Sequence, residues 1–338
     1  MSRAEICALI LWLGATLYAV FGGADFGAGI WDLLLGRGKT KAKANAAKAV
    51  RQRIDHSLAP VWEANHVWLI FILVVLWTAF PEAFYAIMTT LYIPIALAAL
   101  GIVLRGAGFA FRHAIDGPWT ETASRVFAAA SLITPFFMGC VVGAIASGEV
   151  PREGYGDPTG SWIGVLPFVI GVLFVAGGAY LAAVFLTHDA KAAGEKKVAA
   201  YFDRRALVSA VVAGLLSLGG IFALREEARY VFDGLVGPGL PLVIFSVLAG
   251  GTAFALLALK RYEILVRPLA VGALVAVVWG WYVAQHPYLL PTSLTIDQAA
   301  GAYASLLVVI IVFLVAAVLV LPSLALLYVL SQKRLLED

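Results

Sequence analysis

Apolar runs of about 20 residues recur from one end of this chain to the other, and their length constrains the fold more than any other feature. A helix needs about 20 residues to cross a hydrocarbon core about 30 Å thick. A bilayer offers open backbone groups no hydrogen-bonding solvent, so the runs are expected to be transmembrane helices. Polar breaks divide them into nine candidate spans, at roughly 6–35, 62–80, 82–104, 124–147, 161–187, 205–224, 239–259, 265–284 and 301–331. The segments between them are too short to form a soluble domain, so residues 1–338 are read as a single transmembrane domain of an all-α integral membrane protein. Composition agrees: hydrophobic residues are 62% and charged residues 13%, against about 45–50% and about 25% in soluble domains.

Basic residues sort by side. The loops after odd-numbered spans hold Arg37, Lys39, Lys41, Lys43, Lys48, Arg51, Arg53, Arg112, Lys191, Lys196, Lys197, Lys260 and Arg261, and Lys333 and Arg334 follow the ninth span. The other face carries Arg3, Arg152, Arg225 and Arg229. The positive-inside rule then predicts the N-terminus outside and the C-terminus in the cytoplasm, which an odd span count requires. Pro81 alone interrupts the apolar stretch from Val67 to Leu104, and one helix of that length overshoots the membrane, so a tight hairpin is expected there. The alanine- and lysine-rich segment from Lys39 to Arg53 is expected to lie as an anchoring helix on the cytoplasmic lipid surface. The run beginning at Ile6 lacks the basic leader and cleavage site of a secretory signal and is read as a mature helix. Cys7 and Cys140 fall inside apolar runs and read as small buried residues.

Ionisable groups within spans are costly and need a reason. Asp25 and Asp32 lie in the first span, in the glycine-rich stretch GGADFGAGIWD, on about the same helical face two turns apart. Asp32 is expected to be solvated near the interface, whereas Asp25 is deeper. The densest polar cluster, DHSLAPVWEANHVW from Asp55 to Trp68, runs from a loop into the second span. Pro60 suits a helix start and Glu63 its first turn. Glu63 and His66 are i,i+3 neighbours, Trp62 and His66 are i,i+4 neighbours, and Asn65 offers donor and acceptor beside them. The cluster can be read as a proton-handling entrance, since imidazole titrates near neutrality and a desolvated carboxyl can be shifted toward it. It can equally be read as a helix cap with interfacial tryptophans. Haem ligation by His66 is a further reading, without a second histidine inside a span to complete a bis-histidine site. Arg105 ends the third expected span and is expected to snorkel to the interface. Before the last span, Thr295 and Asp297 are helix-cap candidates. Dinucleotide, P-loop and metal-cluster motifs are absent.

The stretch from Gly23 to Gly29, the SLAPVWEANHVWLI motif from Ser57 to Ile70, and the PTSLTID loop from Pro291 to Asp297 together resemble subunit II of cytochrome bd-type quinol oxidases, collinearly over the chain. The resemblance implies two four-helix bundles plus one peripheral helix in a prokaryotic plasma membrane. It implies a heterodimer with the homologous subunit I, which carries haem b and haem d, so that this chain binds no haem or other metal itself. The complex would oxidise quinol and reduce dioxygen to water in respiratory electron transport, without pumping. A structural quinone, a small accessory subunit and membrane lipid are further companions the family suggests; nucleic acid is not. By position, Glu63 and Asp25 match acids of the family's proton route, and Trp62, Asn65 and Trp68 match residues lining that route or the quinone. This sequence departs from the family in carrying Gly22 where an acid is usual and His66 where glutamine is common, so His66 joins the proton-route candidates. The runner-up reading is a secondary transporter, which should place charges and broken helices in both halves; here the buried charges concentrate in the first. A scaffold, with Asp25 and Glu63 as hydrogen-bonding groups, is the third.

Overall fold

The structure, a computed structural model, describes residues 1–35, 40–58, 62–114, 118–261 and 263–332. Fourteen helices account for nearly all of it: α1 (Arg3–Leu17), α2 (Gly23–Leu34), α3 (Lys41–Leu58), α4 (Trp62–Ala79), α5 (Pro81–Thr90), α6 (Tyr92–Ala114), α7 (Pro118–Ala146), α8 (Val165–Ala192), α9 (Lys196–Glu227), α10 (Arg229–Val236), α11 (Leu240–Leu259), α12 (Glu263–Gln285), α13 (Ile296–Ala299) and α14 (Tyr303–Gln332). Among the described residues eight helices are long and apolar enough to cross a membrane, or nine if the bent pair formed by α4 and α5 counts as one span.

The first span is continuous from Arg3 to Leu34, but a π-turn at Tyr18–Gly22 joins α1 to α2. The Tyr18 ring folds over Gly22, where a Cβ would sit 2.7 Å from it. Such π-turns recur at functional sites. The hairpin expected at Pro81 has a particular form: α5 turns 118° from α4 at Phe80. Pro81 is the first residue of α5, where its missing N–H costs nothing. Those ten residues are taken from the third span, which becomes α6 and starts at Tyr92 rather than near residue 82.

Small residues let the central helices touch backbone to backbone. A Cβ on Gly27 would lie 2.0 Å from the Gly178 carbonyl, and one on Gly29 would lie 2.1 Å from Ser131 Oγ, so α2 is seated directly on α8 and α7. One apolar cluster surrounds that seat, with Trp31, Ile54, Phe127, Leu181 and Phe202. A second joins α1, α4 and α5 to the loop before α14, through Cys7, Leu11, Phe80, Leu91, Leu290 and Leu294. In that loop β1 (Tyr288–Leu290) and β2 (Leu294–Thr295) pair antiparallel. Thr295 then caps α13 with a reciprocal bond to Gln298, while Ser2 Oγ donates to Asp297 at 2.8 Å. Both cysteines are buried.

The segment expected to lie on lipid differs. α3 is docked on the protein: Ala47, Val50 and Ile54 are buried, Arg51 Nε donates to Asp32 at 2.8 Å, and Arg53 Nε donates to Glu195 at 2.9 Å. Every third or fourth residue of α3 is apolar, and that stripe found protein instead of acyl chains.

Candidate functional site

Two rungs of buried charge cross the space between α2 and α6. Asp25 and Asp32 are seven residues apart on α2, and Arg105 and Arg112 are seven apart on α6. Seven residues is close to two helical turns, so each pair presents one face and the two helices meet rung to rung. In the inner rung, Arg105 Nη2 lies 2.6 Å from Asp25 Oδ1, with each side chain only 1% exposed. The guanidinium also reaches the Asp25 carbonyl at 3.3 Å, donates from Nε to Ser131 Oγ at 3.1 Å, and lies 3.4 Å from His66 Nε2. In the outer rung Asp32 receives Arg51 and Arg112, the latter at 3.3 Å, and Arg112 also pairs with Asp55. The Phe127 ring separates the rungs, with the Arg105 and Arg112 guanidinium carbons 4.8 and 4.3 Å from its centre.

Two expectations are corrected here. Asp32 is not solvated but 5% exposed, because α3 folds back over it and brings Arg51. Arg105 does not snorkel to the interface; once α6 is shifted along the chain, this residue falls mid-helix and its charge is met by Asp25.

His66 stands on α4 against the same rung, its ring centre 5.7 Å from Phe26 and 6.2 Å from Tyr18. Asp25 and His66 are thus brought together through Arg105. Asn65 is buried, and Trp68 is half-buried with its ring edge-on to Phe71. Trp62 and Glu63 open α4, and their side chains lie outside the described residues. Asp25 Oδ2 and the Tyr18 hydroxyl are buried with no hydrogen-bond partner among the described residues. Such polar atoms are costly in a dry interior and mark a place where a polar species can be received. An iron at His66 Nε2 would have to sit against the Arg105 guanidinium, which lies 3.4 Å from that nitrogen.

The sequence reading missed Arg105 and Arg112 as members of the site. The signal was present: a seven-residue spacing of arginines that matches the spacing of the aspartates.

Residues 3–331 match the sequence model of a family described as cytochrome bd terminal oxidase subunit II. The chain is 30% identical over 118 residues to cytochrome bd ubiquinol oxidase subunit 2 of Bacillus subtilis, covering 35% of this chain and 32% of that protein. It is 29% identical over 149 residues to cytochrome bd-I ubiquinol oxidase subunit 2 of Escherichia coli, covering 43% and 37%. The chain thus spans about a third of the length of these curated relatives. Its fold matches a chain in the structure of bd oxidase from Geobacillus thermodenitrificans with a TM-score of 0.75 and 24% identity, over 97% of this chain and 98% of that one.

Proposed function

Because this chain belongs to the cytochrome bd terminal oxidase subunit II family, we propose that it is the haem-free subunit of a membrane-bound respiratory quinol oxidase. Its partner in this reading is subunit I, which holds haem b and haem d. The complex oxidises two quinols and reduces one dioxygen to two waters, and the four protons consumed come from the cytoplasm. The family match over residues 3–331 carries this reading. The transporter reading is not favoured by it, and the concentration of buried charge in the first half adds a second reason. The asymmetry of lysine and arginine supports an N-terminus outside and a C-terminus in the cytoplasm of a prokaryotic plasma membrane. A small accessory subunit and a structural quinone remain part of the reading on family grounds.

Within the chain, the proposed proton route begins at Glu63, in the first turn of α4, and passes to His66 one turn further along the same face. Asp25 has a different duty from that of a free acid. Arg105 occupies one Asp25 oxygen at 2.6 Å, so the two form a buried ion pair beside the route. Proton transfer then falls to Glu63 and to His66. Asp25 Oδ2 and the Tyr18 hydroxyl supply polar contacts for water along the way. Trp62, Asn65 and Trp68 line the route or hold the quinone.

The test is quinol-driven oxygen consumption by the complex carrying Glu63→Gln or His66→Gln. Positioned proton carriers contribute on the order of a hundredfold or more. Turnover should fall at least about tenfold in Glu63→Gln with haem content unchanged, and His66→Gln should shift the pH profile. Full turnover with an unmoved profile in both variants would remove the route from this chain.

A further inference from the structure

Between α9 and α11 lies an open groove of about 360 Å³, lined by Leu207, Val208, Val211 and Val212 on one wall and Phe254 and Ala258 on the other. That volume is at the small end of the ligand-site range of about 300–1,000 Å³. The residues lining it come from the first half of α9 and the last turns of α11, so the two helices run antiparallel along it.

Basic residues adjoin the lining residues at one end of the groove. Arg204 precedes Val208 by one turn on the same face of α9. Lys260, in the left-handed conformation at φ 52°, closes α11, and Arg261 follows it, its amide donating to Leu256 O at 3.0 Å. All three side chains are exposed. None forms an ion pair among the described residues, since Asp203, the nearby acid on α9, is taken by Lys191 at 3.2 Å. Arg205 is not part of this end; its guanidinium carbon lies 3.1 Å from the centre of the Tyr201 ring.

An apolar slot flanked at one end by three cations that form no ion pair among the described residues is complementary to an amphiphile with an anionic head. We propose that this groove is a binding site for an anionic phospholipid, with an acyl chain along Val208, Val211 and Phe254 and the phosphate held by Arg204, Lys260 and Arg261. Basic pockets between membrane helices recognise anionic headgroups in this way. A neutral lipid or a quinone tail would fill the slot equally well but would leave the cations unused.

The experiment is native mass spectrometry of the purified complex, titrated with phosphatidylglycerol and with phosphatidylcholine of identical acyl chains. Phosphatidylglycerol should be retained on the order of tenfold more tightly. The double variant Arg204→Gln/Arg261→Gln should abolish that preference while leaving phosphatidylcholine binding unchanged, and Val211→Trp should weaken both. If the variants do not assemble, phosphatidylglycerol with a diazirine in its acyl chain should label peptides within 204–215 or 254–261 of the wild-type complex. Equal retention of the two lipids, a preference that survives the double variant, labelling elsewhere, or displacement of phosphatidylglycerol by a neutral prenyl quinone would each overturn the proposal.

Discussion

At Arg105 a guanidinium sits 1% exposed in the middle of an apolar helix, met by one carboxylate, one backbone carbonyl, one hydroxyl and one imidazole. Desolvating two ions costs several kcal/mol each, and their attraction repays this only while both are present. Arg105→Met should therefore lower the stability of the purified complex by about 3–5 kcal/mol, because it strands Asp25 in a dry site. The double variant Arg105→Met/Asp25→Leu should recover most of that loss, since an apolar pair needs no solvation. Thermal unfolding of these two variants and of Asp25→Leu decides the matter; a double variant as unstable as the sum of its single changes would mean the pair is not coupled. At this scale the sequence was partly legible. Asp25 and His66 stood out because the membrane makes them expensive, and the structure joins them. Arg105 was read as interfacial because its position relative to the membrane depended on where the third span began, and Pro81 alone does not say that ten residues turn aside.

The elements meet by close approach. α2 lies on α8 where Gly27 faces Gly178, and the atoms a Cβ would meet there belong to backbone, which cannot swing away. Gly27→Ala should cost about 1–3 kcal/mol through forced separation of the two helices. Gly106→Ala on α6, with nothing within 4 Å of the added carbon, should be neutral or gain up to about 1 kcal/mol from helix propensity. Thermal unfolding of the two variants side by side checks this, and equal losses would contradict the packing described. The glycine stretch was legible as a helix-packing surface. Its partner was not, because nothing in the spacing of small residues tells which of several glycine-bearing helices will seat on them. The docking of α3 was hidden for a similar reason: an amphipathic stripe has the same pattern whether lipid or protein covers it. Ile54, fully buried, and the two arginine bridges are what distinguish the cases.

For the whole molecule, the all-helical membrane character, with eight or nine candidate spans among the described residues, and the family were legible from apolar length and three collinear motifs. The division of charge explains the arrangement: the buried ions described lie on α2 and α6, while α9, α11 and α14 present mostly apolar side chains outward, as surfaces for lipid or for a partner. The buried charge thus lies apart from the apolar faces, which is the arrangement the proposed function builds on. The measurement that tests this most directly is a reduced-minus-oxidised visible spectrum of the affinity-purified chain, co-expressed with its neighbouring genes and examined beside a denaturing gel. The account predicts a haem d band together with a co-purifying larger subunit, both lost when that subunit's gene is removed. A colourless, partner-free protein from well-energised membranes, or a haem band that persists in the isolated chain, would contradict it.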